Sequence, residues 1–402
     1  MTSKYNYNCV GREPKEIIVM DTTLRDGEQN SLCTMYPDEK IRVAKILEKM
    51  NVDIIEAGFA VSNGNYEVMR EIAKTIKTPY LCGLSRAIKE DIDLTYKAYK
   101  DYDKRMIHIF VPTSKVQVDA KINKSEEELI EISASAVKYA RKYFDIIEFT
   151  AEDSVRSDFR LLKKVYREVL NEGALIINVA DTVGCAYPEK FGSLVSKVSK
   201  FVKKVNKNVR VSVHCHNDLG MALANTLCAI KNGAEQVECT IYGIGERAGN
   251  CALEQIVAWG LMQENFKTKV DPSRLYEAVK IIEKVTGVRN DFAPIVGKSA
   301  YSHKSGIHQH GVINNRNSYE FLDPKTFSRK SEIVIGPHSG YHGVIAKAEE
   351  IGYNINKEQA KSIIKKISRM VEKRIKKEYQ EGKKKLAGCE VVGRIFANSV
   401  ET

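Results

Sequence analysis

His214 and His216 stand one residue apart at the end of Val209–Val213, a run rich in β-branched residues, and Gly220 with a helical pattern follows. Side chains alternate faces along a strand, so both imidazoles point the same way and one divalent ion could take both. Alone, the pair is equally two hydrogen-bonded histidines at a strand end. The carboxylate of Asp26 and the amide of Asn250 are the further donors that would complete a metal site. Two nitrogens and two oxygens leave open positions on a six-coordinate ion, which suits a chelating 2-oxo acid; zinc, manganese, cobalt and magnesium are all compatible. Arg25, next to that carboxylate, would neutralise a developing enolate or alkoxide. Glu152 is the candidate general base, a carboxylate expected among apolar residues with its pKa raised by burial, and His108, Thr182 and His308 come next. Asp181-Thr182 could equally cap a helix. The run Gly243-Ile244-Gly245-Glu246-Arg247-Ala248-Gly249 is either a phosphate cradle using Gly245, Arg247 and Gly249 or a tight loop. Its spacing is neither a dinucleotide fingerprint nor a P-loop, so it does not support a nicotinamide cofactor.

These residues need elements to bring them together. From Ile17 to about Trp259, short apolar runs alternate with amphipathic ones. Strands are expected at Ile17–Met20, Asp53–Ala57, Pro79–Gly83, Met106–Val111, Ile146–Phe149, Leu175–Val179, Val209–Val213 and Gln236–Ile241. Helical patterns such as Asp38–Met50, Glu67–Lys77, Glu126–Tyr143, Asp158–Asn171, Glu189–Val205 and Ala222–Asn232 lie between them. This is the cadence of a closed (β/α)8 TIM barrel, although cadence alone also allows an open doubly wound sheet. A barrel places its chemistry just after the strands, and there the candidates fall: Arg25 and Asp26 after the first, Glu152 after the fifth, Thr182 after the sixth, the histidines after the seventh and Asn250 after the eighth. Strands one, seven and eight are neighbours in a closed barrel, so Asp26, His214, His216 and Asn250 can converge.

The expected organisation is an N-terminal extension over 1–16, the barrel over 17–265, a linker or lid over 266–322, a helical subdomain over 323–386 and a tail over 387–402. The sequence holds 402 residues with 43% hydrophobic and 29% charged, ordinary for a globular protein with a substantial core. The net charge of +11 is spread through helical patterns and densest near Lys373–Lys377 and Lys383–Lys385. These read as solvated faces suited to an anionic cofactor such as a coenzyme A thioester, rather than to nucleic acid. Nine scattered cysteines without a Cys-x-x-Cys pair argue for reduced thiols and a cytoplasmic setting. Neither a signal peptide nor a membrane span is expected.

Taken together, Asp-Thr-Thr-Leu-Arg-Asp-Gly-Glu-Gln at 21–29, Ile-Glu-Ala-Gly-Phe at 55–59, His-Cys-His-Asn-Asp-Leu-Gly at 214–220 and Gly-Ile-Gly-Glu-Arg-Ala-Gly-Asn at 243–250 resemble the alkylmalate synthase family, from about residue 15 to 350. The resemblance implies condensation of acetyl-CoA with a 2-oxo acid at a divalent metal, then thioester hydrolysis. It places metal ligands at Asp26, His214 and His216, with Asn250 in or near the coordination shell. Arg25 then steadies the oxo-acid oxygen and Glu56 completes the Arg-Asp-Glu group. Gln29, His108, Glu148, Thr150 and Thr182 fall on the substrate side, Glu152 matches the carboxylate implicated in catalysis, and Gly245, Arg247 and Gly249 are the candidate coenzyme A contacts. His308, in Ser-Gly-Ile-His-Gln, matches a histidine that family dimers insert into the neighbouring subunit's site, which implies a swapped homodimer.

Within the family, the stretches at 246–254 and 305–309 resemble 2-isopropylmalate synthases, which take 2-oxoisovalerate, whereas Ala-Asp-Thr-Val-Gly-Cys-Ala at 180–186 resembles homocitrate synthases. Glu148 stands where the latter carry an arginine for the distal carboxylate of 2-oxoglutarate, and would repel that group. The reading that follows is 2-isopropylmalate synthesis in leucine biosynthesis, ahead of citramalate or another alkylmalate. Thr150 in place of serine, the loop 29–33 and His310 in place of aspartate depart from the pattern at the side-chain pocket. Leucine-regulated relatives continue into a further regulatory domain, so no leucine inhibition is expected. A lyase or aldolase on the same barrel, or a catalytically silent binding protein, are the other readings; the His308 loop and the complete set of ligands and acids weigh against them.

Overall fold

The computed structural model describes residues 14–262, 266–380 and Phe396. Most of the 1–16 extension, Cys9, Cys389, the Lys383–Lys385 run and, Phe396 apart, the 387–402 tail lie outside the described residues. These fall into two compact units that divide between Arg289 and Asn290, within the stretch read as linker or lid.

The first unit is a closed parallel barrel of eight strands: β1 (Ile18–Asp21), β2 (Ile54–Phe59), β3 (Tyr80–Arg86), β4 (Arg105–Pro112), β5 (Ile146–Glu152), β6 (Ile176–Asp181), β7 (Arg210–Cys215) and β8 (Gln236–Cys239). Strand order follows sequence order, and β8 closes on β1 with Met20 opposite Glu238. The barrel expected from the cadence is present. Most strands, however, run one to three residues beyond their expected carboxyl ends, because inward positions at a barrel mouth are polar and hide the strand from a hydrophobic count. Ile146–Phe149 extends through Glu152, and His214 lies inside β7 rather than after it. The last strand errs the other way: it stops at Cys239, and Ile241 opens a 3-10 turn.

Around the barrel run α1 (Pro37–Lys49), α2 (Asn63–Thr75), α3 (Lys89–Tyr99), α4 (Lys115–Lys121), α5 (Glu126–Ala140), α6 (Phe159–Asn171), α7 (Pro188–Val205), α8 (Ala222–Lys231) and α9 (Leu253–Met262), with α10 (Leu275–Thr286) beyond. Caps fix several starts. Ser62 accepts from the Asn65 N–H, which starts α2 four residues before the expected Glu67, and Ser125 with Glu128 forms a capping box at α5. α3 and the short α4 were not among the expected helices. In the lower barrel Met20, Ile54, Cys82, Met106 and Ile176 pack as an apolar layer. Above it Glu56, His108, Thr150, Asn178, His214 and Glu238 are all buried, so the apolar layer is the floor on which polar chemistry rests.

One buried acid lies in the first turn of α9. Glu254 is 1% exposed and accepts from the Tyr242 N–H at 3.0 Å. Burial, helped by the neighbouring Asp21 charge and opposed by backbone N–H groups, pushes its pKa up to about 7. The folded state therefore keeps a proton that the unfolded chain has lost above about pH 4.5, and stability falls as pH rises from there through about 7. Glu254→Gln keeps the acceptor and removes the charge. Its stability advantage over the parent should widen between pH 5 and pH 8 towards on the order of 3 kcal/mol. Denaturant melts at both pH values check this, and a pH-independent difference would show that Glu254 is not buried with its charge.

The second unit contains α11 (Gly306–Asn314), α12 (Tyr341–Glu350) and α13 (Lys357–Gln380), and a two-residue strand at Ser302–His303 pairs with one at Glu332–Ile333. Its core joins Ile335, Val344, Ala348, Ala360, Ile363, Ile367 and Phe396. Among the described residues no helix is long and apolar enough to cross a membrane, and the seven described cysteines are free.

Candidate metal centre

β1 turns at Thr22, whose carbonyl accepts from the backbone N–H groups of Arg25, Asp26 and Gly27, and this tight turn aims Asp26 at the end of β7. Asp26 Oδ2 lies 3.5 Å from His214 Nε2 and 3.7 Å from His216 Nε2, and the two imidazole nitrogens are 3.1 Å apart. Donors at right angles on an ion with bonds of about 2.1 Å stand about 3 Å apart, so the three atoms fit one face of a coordination sphere. All three residues are buried. Asn250 comes from the loop after β8, and its Nδ2 donates to Asp26 Oδ1 at 3.0 Å. Its Oδ1 is buried with no hydrogen-bond partner, an orphaned acceptor of the kind a cation satisfies. Gly245 makes room for this contact: a Cβ there would come 2.1 Å from Asn250 Nδ2 and 2.8 Å from Asp26 Oδ1.

The residue that sequence reasoning missed is Glu238. It sits in β8 opposite His214 in register, is 1% exposed, and its Oε2 lies 2.9 Å from His214 Nδ1. A carboxylate there orients the ring so that Nε2 faces the other donors. The signal was available, since Glu238 is an acid inside an apolar strand beside a candidate ligand strand. His216 Nδ1 has Gly249 O at 3.2 Å, so both rings are held from behind. Burial disfavours a charged His214, but Glu238 and Asp26 overcome it and hold its pKa above the usual value. For His216, burial and the adjacent His214 push the pKa down to about 4, which leaves this imidazole neutral.

Arg25 lies between carboxylates. Its Nε donates to Glu56 Oε2 at 2.5 Å, its Nη1 to Asp26 Oδ2 at 2.7 Å, and its Nη2 is 3.9 Å from Glu238 Oε2. Burial opposes its charge, and Glu56, Asp26 and Glu238 more than restore it. Glu56 also meets His108 Nδ1 at 2.8 Å, and His108 Nε2 meets Thr150 Oγ1 at 2.5 Å, which in turn accepts from Asn178 Nδ2. Burial disfavours the imidazolium of His108, yet the Glu56 hydrogen bond and the charges of Glu238, Glu56 and Glu148 raise its pKa to about 9. Glu148 is fully buried below this layer, where its Oε2 accepts from Gln236 Nε2 at 2.8 Å. Burial raises its pKa, against the pull of His108.

Other candidates are placed differently from expectation. Glu152 ends β5, and its Oε1 pairs with Lys121 of α4 at 2.7 Å, so its surroundings are not the apolar ones expected; its Oε2 is buried without a partner. Asp181 accepts from the Cys185 and Ala186 N–H groups and so shapes its own turn. Thr182 Oγ1 accepts from the Asp153 N–H at 2.9 Å and keeps its hydroxyl proton for another acceptor. Gln29 is exposed beside a pocket lined by Leu24, Arg25, Lys40 and Phe59. Gly249 is needed because a Cβ would strike Gly243 O, and the Arg247 guanidinium is engaged with Asp218 and the Thr182 carbonyl. His308 belongs to the second unit, on α11, with its ring stacked 4.0 Å from that of Tyr319.

Fold and site together define a barrel enzyme with a metal-type donor cluster at the carboxyl end of its strands. The HMGL-like family model matches residues 16–282, and the homocitrate synthase post-HMGL domain-like model matches residues 295–375. With the relatives that follow, these place the chain in the HMGL-like family, among the alkylmalate synthases, as a 2-isopropylmalate synthase-like acyltransferase. The 2-isopropylmalate synthase of Dictyoglomus turgidum is 44% identical over 363 residues, which is 89% of this chain and 72% of that protein. That of Pyrococcus furiosus is 42% identical over 368 residues, 90% of this chain and 73% of that one. Among solved structures, hydroxymethylglutaryl-CoA lyase from Pseudomonas aeruginosa is similar with a TM-score of 0.59 at 22% identity, covering 69% of this chain and 95% of that one. The carboxyl transferase domain of Rhizobium etli pyruvate carboxylase follows with a TM-score of 0.53 at 18% identity, covering 68% and 48%. At such identities the two structures speak for the fold alone.

Proposed function

We propose that this enzyme condenses acetyl-CoA with 2-oxoisovalerate and hydrolyses the thioester, giving 2-isopropylmalate and coenzyme A. The observation that carries the reading is the meeting of Asp26, His214 and His216 donors within 3.7 Å of one another beside the largely buried Arg25 guanidinium, whose side chain is 10% exposed. A divalent ion held by these three, with the free oxygen of Asn250 alongside, would supply Lewis acidity towards the paired oxygens of a 2-oxo acid.

The chain's own residues supply the rest. Arg25, fixed by Glu56 and Asp26, presents permanent positive charge where the oxo oxygen becomes an alkoxide. Glu152, with one oxygen on Lys121 and one unpartnered, is the base that takes a proton from the acetyl methyl group as the new carbon–carbon bond forms. His108, charged and held by Glu56, and the Thr182 hydroxyl face the carboxylate end of the oxo acid. His308 of a second subunit acts in the hydrolysis, in which water adds to the thioester carbonyl and coenzyme A leaves as the thiol. The names of the relatives support 2-oxoisovalerate. So does Glu148, which, protonated or ionised, offers no cation to a second carboxylate. The 180–186 motif and the second family model favour homocitrate synthesis, and Glu148 speaks against it.

Thiol release from acetyl-CoA, measured with pyruvate, 2-oxobutyrate, 2-oxoisovalerate, 2-oxoglutarate and oxaloacetate, tests both levels. The expected result is release only with a 2-oxo acid and a divalent metal present, with the highest kcat/KM for 2-oxoisovalerate. A higher value for pyruvate would make the enzyme a citramalate synthase, and no release with any acid would end the synthase reading.

A further inference from the structure

We infer that Arg247 and Asp218 form a latch that sets the geometry of the metal-binding edge, acting as positioning residues for His216 and Asn250; the inference rests on the metal reading above. Arg247 Nε donates to Asp218 Oδ1 and its Nη2 to Asp218 Oδ2, each at 2.8 Å, a two-pronged pair that fixes angle as well as distance. The same Nη2 donates to the Thr182 carbonyl at 2.8 Å. One side chain therefore ties together the loops after β6, β7 and β8.

What those loops carry gives the latch its consequence. Asp218 follows His216 by two residues, and Arg247 precedes Asn250 by three. Between them the backbones are stitched: the Asn217 N–H donates to Gly249 O at 2.9 Å, His216 Nδ1 lies 3.2 Å from the same carbonyl, and His216 and Asn250 pair as an isolated antiparallel bridge. The His216 N–H donates to Asp181 O at 3.3 Å, which joins the third loop to the same edge. Two backbone features belong to this arrangement. Arg247 has φ +57°, a left-handed conformation uncommon for a residue of its size, so its aim towards Asp218 is imposed by the loop. Gly184, at φ +59°, lets the loop after β6 press on Asp218, because a Cβ there would come 2.5 Å from Asp218 Oδ2.

An ion pair with side chains 39% and 26% exposed would ordinarily add little to stability. Its effect here is on the position of donors whose separations must suit an ion. Partners hydrogen-bonded directly to a ligand change metal affinity roughly ten- to a hundred-fold when removed, and the latch, acting one contact further out through the Gly249 carbonyl, should reach the lower end of that range.

The test is Co2+ titration of the full-length, metal-stripped protein without substrates, followed by absorbance and calorimetry, for the parent, Arg247→Ala, Arg247→Lys, Asp218→Ala and the double alanine variant. Each single alanine variant should bind Co2+ roughly ten-fold more weakly. The double variant should be no weaker than the worse single one, because the two residues act as a unit. Lysine should restore only part of the affinity, since it keeps the charge without the fork. The thermal midpoint of the metal-free protein should stay close to the parent's. Unchanged Co2+ affinity in both alanine variants, losses that add in the double variant, or a lowered metal-free midpoint with unchanged affinity would each overturn the latch. A parent protein that binds no Co2+ overturns the metal reading itself, and the two failures are thereby distinguished.

Discussion

Asp26→Asn is expected to remove thiol release while leaving the barrel folded. The substitution preserves shape, so its effect is one of hydrogen-bond polarity. Asp26 Oδ1 accepts from the Glu246 N–H at 2.9 Å and from Asn250 Nδ2 at 3.0 Å, whereas Oδ2 faces the two imidazoles and Arg25. An asparagine has one NH2 to place and no orientation that suits it. Turned one way, it sets donor against donor at Glu246 and Asn250; turned the other, it points hydrogens at Arg25 and at the space between the ligands. The carboxylate is also strongly held in its charged form: burial would raise its pKa, but Arg25, His214 and His216 drive it far below the usual range. Loss of a charged donor weakens ion binding, and Arg25 loses one of its anchors, so kcat/KM should fall on the order of a thousand-fold. Co2+ stoichiometry, kcat/KM at saturating Mn2+ and the metal-free thermal midpoint check the three parts. Activity within about tenfold of the parent would show that Asp26 is not at the reacting centre.

The histidine pair and Asp26 could be found in the sequence because the geometry involved is local and regular. Strand periodicity of two puts His214 and His216 on one face, and barrel order puts β1 next to β8. Glu238 shows in the sequence only as an acid inside an apolar strand, and its partner does not show at all. In an apolar strand its role comes entirely from register with β7, and register is set by the closed sheet rather than by any nearby residue. Glu152 was located correctly at the end of β5 but its environment was not, since Lys121 reaches it from α4, a helix too short and polar to stand out. The glycines of the 243–249 loop allow either a phosphate cradle or a tight loop from the sequence alone. The structure gives Gly245 and Gly249 steric tasks inside the mouth, and single-residue close approaches of this kind leave no periodic trace in a sequence.

Arg25→Met tests how far one guanidinium sustains both the fold and the chemistry. Glu56 and Glu238 are buried carboxylates, and with Asp26 they share Arg25 as a common cation. For Glu56, burial alone would raise the pKa, yet Arg25 and His108 bring it below the usual value. Methionine fills the space with a neutral chain and leaves those acids with His108 and His214 as their nearest positive partners. Breaking a buried pair by removing one member costs about 3–5 kcal/mol, and that is the destabilisation expected at pH 7.5 for the metal-free protein. The sign of the pH dependence follows from Glu56. Its depressed pKa gives the parent stability that is present above about pH 4.5 and lost as pH falls through the folded value, whereas in the variant burial acts with less opposition and Glu56 takes up a proton early. The gap between the two proteins should therefore narrow from pH 7.5 to pH 5. Arg25→Lys separates the roles: an ammonium recovers part of the stability as a point charge, but cannot hold Glu56 and Asp26 at once, so kcat/KM stays depressed by roughly a hundred-fold or more. Urea melts at the two pH values and steady-state kinetics decide the matter. If Arg25→Met were as stable as the parent at pH 7.5, or the gap did not change with pH, the three carboxylates would have to be neutralised by something other than Arg25.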